Sequence, residues 1–266
     1  MSRVAKPRGA EAFEERYRGL FGVRWPELAA ALTAPADRVA FDAGGAEPYY
    51  LDSASILAAR ALELPAEGRI LDACAAPGGK SLVIASRMGP LARLVSNELS
   101  ADRRRRLRDA LDRHLGAEAR GRVEVWGRDA ASLCRAIPEA FEAILLDAPC
   151  SSERHVMADP AALAEWTAAR FRSLAQRQWA LLSSALIMLK AGGCLVYSTC
   201  ALSPEENDGV VARAAARYGA SLRFDRPEYP GPGEAEETEY GISILPDRAG
   251  GAGPLYVARM LKLEGR

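Results

Sequence analysis

The stretch Leu71-Asp-Ala-Cys-Ala-Ala-Pro-Gly-Gly-Lys-Ser81 leads from a short apolar run through a glycine-containing turn into a segment with helical spacing. Gly78 and Gly79 let a ligand approach the backbone closely, and the amides at the start of a helix can face a polar or anionic group. A phosphate-binding loop of the GxxxxGK[ST] type would need a glycine where Cys74 stands, and the GxGxxG pattern is also absent. The turn therefore favours a nucleotide-like cofactor over a bare phosphate group.

Short apolar runs alternate with longer helical segments around this turn. Such alternation is typical of an α/β protein with a mostly parallel, doubly wound sheet that is covered by helices on both faces. The predicted strands are residues 69–73, 94–97, 122–126, 143–147 and 193–197, and the predicted helices lie near residues 52–63, 79–88, 100–115, 160–190 and 204–218.

The two ends of the chain depart from this alternation. Residues 242–245 and 255–261 are apolar and are joined by a glycine-rich turn without a helix, which predicts an antiparallel hairpin at one edge of the sheet. Residues 1–48 contain two segments with helical spacing, followed by Pro35, Gly44-Gly45 and Pro48. We therefore predict a short helical N-terminal extension over residues 1–48 and a main domain over residues 49–266.

The composition is that of an ordinary globular protein. Of 266 residues, 49% are apolar and 26% are charged, and 35 basic residues balance 35 acidic ones, so nucleic-acid binding would have to come from a local basic patch. Five cysteines and two histidines without CxxC spacing predict free thiols in a reducing compartment and no metal site. We expect a cytoplasmic protein without a membrane anchor, because the longest apolar stretches fall short of about 20 residues.

Carboxylates follow or end four successive strands of the predicted sheet. They are Asp72, Glu98, Asp129 and Asp147. In open parallel sheets ligands bind beyond the carboxyl ends of the strands, so these side chains are expected to gather around one site. Glu98 stands near the place, about 20 residues after the glycine turn, where an acidic residue binds ribose hydroxyls. An adenosine-bearing cofactor is the functional interpretation, and a structural turn with a solvated glutamate is the alternative.

Two cysteines follow adjacent predicted strands. Cys150 lies in Asp-Ala-Pro-Cys-Ser-Ser (147–152) and Cys200 in Tyr-Ser-Thr-Cys (197–200), so both should face the same crevice. A thiolate is a strong nucleophile once a nearby cation or helix amides lower its pKa, and Lys80 can supply the charge. The pair therefore predicts covalent chemistry, whereas inert packing is the interpretation for the other three thiols, Cys74, Cys134 and Cys194.

Ser203-Pro204 and the acids after it have the pattern of a helix start. Ser203 would be the N-cap and Pro204 the first helical residue, which leaves Asn207 without an assigned role.

The three motifs together resemble the Sun/Nop family of S-adenosylmethionine-dependent RNA cytosine-5 methyltransferases. The resemblance rests on Asp-Ala-Cys-Ala-Ala-Pro-Gly-Gly-Lys-Ser (72–81), Asp-Ala-Pro-Cys-Ser (147–151) and Tyr-Ser-Thr-Cys (197–200), and it extends over about residues 49–262. It implies a Rossmann-like class I methyltransferase fold, S-adenosyl-L-methionine as cofactor, and 5-methylcytosine in RNA as product.

The resemblance also implies a role for each residue that matches a family motif. Cys200 would be the nucleophile, Cys150 would assist release of the product, and Asp147 would lie near the methyl donor and the target base. Lys80, the last residue of the turn, is the fourth catalytic candidate. The cofactor would be bound by the turn, by Arg103 and by Asp147. Glu98 would bind its ribose, and Asp129 with Ala130 would lie beside its adenine. The turn consists of Cys74, Ala75, Ala76, Pro77, Gly78, Gly79 and Lys80.

The implied partner is RNA, ribosomal or transfer, that is single-stranded or distorted at the target cytosine. The short N-terminal extension leaves open whether RNA is captured by the catalytic domain alone or with a protein partner or ribosomal particle. Glu98 and Ala201 stand where aspartate and serine are usual in the family, and neither change removes a reacting group. Two alternatives remain: a non-catalytic assembly factor that binds S-adenosylmethionine and RNA, and a methyltransferase that acts on DNA or protein.

Overall fold

A computed structural model describes residues 8–264 and shows a central mixed sheet between two layers of helices. The strands, in chain order, are β1 Arg38–Phe41, β2 Tyr49–Asp52, β3 Glu67–Asp72, β4 Leu91–Asn97, β5 Val123–Trp126, β6 Phe141–Asp147, β7 Leu189–Thr199, β8 Leu222–Asp225, β9 Glu236–Glu237, β10 Ile242–Ile244 and β11 Leu255–Lys262. The α-helices are α1 Gly9–Phe21, α2 Trp25–Thr33, α3 Ser53–Arg60, α4 Gly79–Ala85, α5 Ala101–His114, α6 Ala117–Arg120, α7 Glu153–Ala158, α8 Pro160–Ala164, α9 Ala169–Met188 and α10 Asp208–Tyr218.

The large sheet has nine strands in the order β5-β4-β3-β6-β7-β11-β10-β9, with β8 paired to β11. Strands β3 to β7 run parallel, and β11 is antiparallel to β7, β8 and β10. The parallel, doubly wound core and the antiparallel strands near the C-terminus are confirmed. The β10–β11 hairpin lies on the side of the sheet beyond β7, as expected, and within it β11 is flanked by β7 on one side and by β8 and β10 on the other.

Alternate residues of the central strands pack against opposite helical layers. Ile70 and Leu94 belong to a buried cluster with residues of α3, α4 and α5, whereas Leu71 and Val95, one position further, belong to a cluster with residues of α9 and α10. This alternation explains why the strands appear in the sequence as continuous apolar runs, since both faces of the sheet are buried.

The N-terminal helices form a third cluster with elements around the cysteine loops. Tyr17 and Trp25 are fully buried, and they pack with Trp166, Phe171 and Leu202. Trp166 and Phe171 are thus core residues of this cluster. The segment 1–48 is not purely helical, because β1 pairs with β2 in an antiparallel hairpin. The predicted domain boundary after residue 48 falls inside that hairpin and stays a prediction.

Two of the predicted helices have different bounds in the structure. The helix expected over residues 160–190 is interrupted between Ala164 and Ala169, where the backbone carbonyl of Trp166 accepts a hydrogen bond from the amide of Gly9. The helix expected from residue 204 begins at Asp208, because residues 204–207 form turns. Ser203 therefore does not cap a helix.

No helix within residues 8–264 is long and apolar enough to cross a bilayer.

Candidate active site

The glycine turn, residues 72–80, connects β3 to α4. Gly78 has φ +123°, a left-handed conformation that favours glycine, and a Cβ on Gly79 would lie 2.9 Å from Cε1 of Tyr49. The turn is therefore closely packed between α5 and the β1–β2 hairpin, and side chains larger than hydrogen would disturb it.

Asp72 ends β3 below this turn and is fully buried. Its Oδ2 atom accepts a 2.7 Å hydrogen bond from Ser81, whose hydroxyl in turn accepts one from Ser96, whereas Oδ1 has no partner within residues 8–264. Burial raises the pKa of Asp72 to about 7. Asp72 also lines the cleft described below, so its unpaired oxygen is a candidate ligand-binding atom.

Glu98 and Arg103 lie on the other side of the turn. Glu98 follows β4 and is buried, with Oε1 accepting a 2.8 Å hydrogen bond from the amide of Ser100. Arg103 lies 3.4 Å from Glu98 and donates to the carbonyl of Ala76 at 2.8 Å. The arginine thus links the predicted ribose acid to the turn.

Asp129 and Ala130 follow β5 and do not line the cleft. Asp129 accepts a 2.6 Å hydrogen bond from Arg177 of α9, which lowers the pKa of this carboxyl. The carbonyl of Ala130 accepts a hydrogen bond from Ser184, also of α9, at 2.5 Å. Both residues follow the carboxyl end of β5, as expected. Their contacts with adenine stay a prediction.

The two thiols predicted to meet lie side by side. Cys150 follows β6, Cys200 follows β7, and their Sγ atoms are 3.1 Å apart, because Asp147 and Ser198 are in register on these parallel strands. The hydroxyl of Ser152 lies 3.4 Å from Sγ of Cys150 and 3.2 Å from Sγ of Cys200. Cys150, Ser152 and Cys200 form what we call the cysteine centre.

The hydrogen bond between the two thiols shifts their pKa values in opposite directions. With Cys150 as donor, this bond lowers the pKa of Cys200, and Ser152 lowers it further against the effect of burial. The same bond and burial raise the pKa of Cys150 well above its ordinary value. Cys200 is therefore the thiol that ionises first. The sequence suggested Lys80 as the group that lowers its pKa, whereas in the structure the hydrogen bond from Cys150 has the largest effect.

Lys80 reaches from the glycine turn toward the cysteine centre. Its Nζ atom lies 2.8 Å from Oδ2 of Asp147, whose Oδ1 accepts a 2.8 Å hydrogen bond from Ser198. Burial lowers the pKa of Lys80, but the charge of Asp147 outweighs this effect and the net shift is upward. Lys80 is consequently a cation at neutral pH, placed between the turn and Cys200.

Two buried glutamates that the sequence analysis did not single out hold the cysteine loops. Glu153 accepts hydrogen bonds from the Tyr17 hydroxyl at 2.5 Å, from the Leu202 amide at 2.9 Å and from the Ser151 hydroxyl. It therefore ties the N-terminal helix α1 to the loops that carry both thiols.

Glu206 joins the same two loops to α9. It accepts from the Ser151 amide at 2.9 Å and from Gln178 at 2.8 Å, while its carbonyl accepts from the Tyr197 hydroxyl at 2.6 Å. Burial raises the pKa of Glu206. In the sequence Glu206 belongs to the acidic run after Pro204, which was attributed to the start of a helix. Ser152 and Glu153 directly follow the first cysteine motif, and this position was the signal that could have identified them.

Asn207 has the structural role that the sequence left unassigned. Its side chain accepts from Thr199 at 2.6 Å and donates to the carbonyl of Ala201 at 2.9 Å. Asn207 thus fixes the residues on both sides of Cys200.

One cleft of about 630 Å³, within the usual range for small-molecule sites, is lined by the glycine turn and by Ser152 and Cys200 of the cysteine centre. The lining residues of the turn are Cys74, Ala75, Ala76, Pro77, Gly79 and Lys80. The lining also includes Asp72, Arg103 and Asp147, Arg38, Tyr49, Tyr50 and Asp52 of the hairpin, and Arg154 and His155 of α7. Within residues 8–264, no three His, Cys, Asp or Glu side chains are arranged to hold a metal ion.

Solved structures share this fold. NSun6 from Pyrococcus horikoshii, solved with SFG, superposes with a TM-score of 0.68 at 26% identity over 82% of this chain and 54% of that one. A methyltransferase homolog protein from the same organism has a TM-score of 0.73 at 22% identity over 94% of both chains, which shows the fold alone.

Curated relatives resemble the chain in sequence. Ribosomal RNA small subunit methyltransferase F of Serratia proteamaculans is 36% identical over 218 residues, or 80% of this chain and 45% of the relative. The protein of the same name from Aeromonas hydrophila is 37% identical over 220 residues, with the same coverage. The chain thus spans about half the length of the curated relatives that it matches.

The family described as 16S rRNA methyltransferase RsmB/F matches residues 59–261, which include the glycine turn and both cysteine motifs. This match agrees with the resemblance to the Sun/Nop family. By the extent of that match, the chain is a member of the 16S rRNA methyltransferase RsmB/F family.

Proposed function

We propose that this chain transfers a methyl group from S-adenosyl-L-methionine to C5 of a cytosine in RNA, with Cys200 as the nucleophile. The observation that carries the proposal is the 3.1 Å distance between Sγ of Cys150 and Sγ of Cys200, because Cys200 lines the same cleft as the glycine turn. The names of the curated relatives favour ribosomal RNA of the small subunit over transfer RNA as the substrate.

The residues around the glycine turn fit this cofactor. Asp72 presents a buried oxygen without a hydrogen-bond partner in the described chain, which a cationic amino group would satisfy, and Glu98 with Arg103 supplies polar groups for ribose hydroxyls. The structure of NSun6 with SFG, an analogue of S-adenosylmethionine, supports the same choice. When bound, the cofactor supplies an electrophilic methyl group.

Cys200 would activate the target base. C5 of cytosine is a poor nucleophile until a group adds at C6, and the Cys200 thiolate forms a bond between its Sγ and C6 that gives C5 the character of an enamine carbon. C5 can then accept the methyl group. The lowered pKa of Cys200 provides the thiolate that this addition needs.

Cys150 would act in the second half of the reaction. The C5 proton must leave to a base, whereupon the Sγ–C6 bond breaks and its electron pair returns to Cys200. While Cys200 is a thiolate, Cys150 holds its proton; once Cys200 is a neutral thioether, the hydrogen bond that raised the pKa of Cys150 no longer opposes ionisation. We propose that Cys150, or a water bound to it, then takes the C5 proton.

Three variants test this scheme on small-subunit ribosomal RNA with S-adenosylmethionine. Cys200→Ala should abolish 5-methylcytosine formation, measured by mass spectrometry of digested RNA. Cys150→Ala should accumulate a covalent protein–RNA adduct on a denaturing gel, because Ser152 still stabilises the Cys200 thiolate while the adduct that forms is not resolved. Cys134→Ala, a thiol outside the cysteine centre, is the matched control and should behave like wild type.

The alternatives give different results. Undiminished methylation by Cys200→Ala would exclude the covalent route, and the binding-factor hypothesis predicts RNA binding without adduct or product in wild type. A DNA methyltransferase would prefer a DNA strand of the same sequence in a competition assay.

A further inference from the structure

The β1–β2 hairpin forms one lip of the cleft. Ala40 pairs with Tyr50 and Arg38 with Asp52, so the side chains of Arg38 and Tyr50 lie on the same face as diagonal neighbours, about 7–8 Å apart. Arg38 is exposed, and 62% of Tyr50 is exposed to solvent. A large aromatic ring at the mouth of a catalytic cleft, beside an arginine, is available to a ligand.

Two guanidinium groups that line the cleft have no carboxylate within 4 Å in the described part of the chain. Arg38 has neither an ion pair nor a hydrogen bond there, and Arg154 donates only from Nη2, to the carbonyl of Ala31 at 3.2 Å. Nε and Nη1 of Arg154 are buried and have no partner among those residues. Asp52 affects Arg154 electrostatically, but its oxygens accept hydrogen bonds from the amides of Ala54 and Gly253.

The other basic groups of the cleft each have an acidic partner. Lys80 pairs with Asp147, and Arg103 lies 3.4 Å from Glu98. The lining thus has four basic side chains against three carboxyl groups, those of Asp52, Asp72 and Asp147, and the two bases without a carboxylate partner in the described chain are Arg38 and Arg154. This arrangement is complementary to a polyanion that enters between the hairpin and α7.

We propose that Arg38, Tyr50 and Arg154 form an entry platform for single-stranded RNA, on which Arg38 and Arg154 bind phosphates next to the target cytosine and Tyr50 stacks on a neighbouring base. The inference rests on the proposed function, because the platform leads into the cleft that contains Cys200. Basic grooves with exposed aromatic rings are the usual means of binding single strands without sequence preference. A target base that has left its stack also requires its neighbours to be held in an open conformation.

Binding of a short fluorescein-labelled single-stranded oligoribonucleotide, followed by fluorescence anisotropy over a salt series, tests the platform without requiring turnover. Tyr50→Ala should weaken binding by about 5- to 150-fold at constant salt dependence, as expected for loss of one base–aromatic stack. Tyr50→Phe should restore most of the affinity. Arg38→Gln should reduce the slope of log K against log salt by about 0.7, as expected for one lost contact to a single-stranded phosphate.

The matched control is Arg93→Gln. Arg93 is exposed, lies in the amino-terminal half of β4 and forms no ion pair within residues 8–264. Thermal unfolding of each variant checks that the hairpin remains folded. The platform is wrong if wild type fails to bind the oligonucleotide, or if Tyr50→Ala and Arg38→Gln bind it like Arg93→Gln.

Failure of the platform and failure of the proposed function are separable. Cys200→Ala should bind the oligonucleotide like wild type, since the thiol is not part of the platform. Wild-type methylation of RNA combined with unaffected binding by Tyr50→Ala and Arg38→Gln would overturn the platform alone. Binding that depends on the platform without any methylation by wild type would overturn the function alone.

Discussion

The glycine turn and the cysteine centre face the same cleft but are held in different ways. The turn is one continuous segment, and Asp72 below it is bonded to Ser81, which is close in the sequence. The cysteine centre brings together residues 50 positions apart, and it is held by Glu153, which also bonds Tyr17 of the N-terminal helix. A site built from one segment depends on local contacts, whereas a site built from two loops depends on buried side chains that come from elsewhere in the chain.

The largest test of this contrast is Glu153→Ala. The substitution leaves three buried donors, the Tyr17 and Ser151 hydroxyls and the Leu202 amide, without their acceptor. We expect the free energy of unfolding in urea to fall by about 5 kcal/mol, since each buried unsatisfied group costs roughly 1–3 kcal/mol. Glu165→Ala, at an exposed position, should change it by less than about 0.5 kcal/mol. Equal changes in the free energy of unfolding for the two substitutions would show that Glu153 does not hold the cysteine centre together.

The turn should show its own signature in the pH dependence of stability. The pKa of Asp72 is raised from 3.8 to about 7 in the folded protein, so its contribution to stability is fully present below about pH 3.8 and is lost as the pH rises through about 7. Asp72→Asn cannot ionise. Its stability relative to wild type should therefore increase by up to roughly 4 kcal/mol between about pH 4 and pH 8, at 1.36 kcal/mol per pKa unit.

That increase is measured by urea unfolding of both proteins across the pH range. A constant difference between wild type and Asp72→Asn would show that Asp72 is not held in a raised-pKa environment.

The smallest effects come from one hydroxyl at each site. Tyr17→Phe removes a donor to the Glu153 carboxylate and should lower the free energy of unfolding by about 2 kcal/mol, because hydrogen bonds to charged groups contribute roughly 1.5–3 kcal/mol. Ser96→Ala removes a donor to the neutral Ser81 hydroxyl and should cost about 1 kcal/mol. Chemical denaturation of both variants measures the two values, and a larger loss for Ser96→Ala would reverse the comparison.

The same contrast explains what could be predicted from the sequence. The parallel strands β3 to β7, the glycine turn and the two thiols are each written in a few adjacent residues, and all of these were predicted. Glu153 and Glu206 were not found, because their role depends on partners such as Tyr17 and Gln178 that only the folded chain brings near. A buried glutamate and a solvated one look identical in a single sequence.

The errors at the helix expected from residue 204 and at the β1–β2 hairpin also come from tertiary contacts. The acids after Pro204 have the composition of a helix start, but the hydrogen bond from Tyr197 to the carbonyl of Glu206 and the contacts of Asn207 hold residues 204–207 in turns around Cys200. The hairpin β1–β2 was missed because each strand has four residues and exposes one face. In both regions tertiary contacts override the local pattern.

The interior position of β11 has a consequence for synthesis. Strand β7 directly precedes Cys200 and pairs with β6 on one side. Its partner on the other side is β11, which begins at Leu255 and is therefore synthesised later. At roughly 5–20 residues per second, a ribosome needs several seconds to produce the chain between them. During that interval the backbone edge of β7 is open to pairing with other chains, so the strand that precedes Cys200 is exposed to aggregation until β11 has been made.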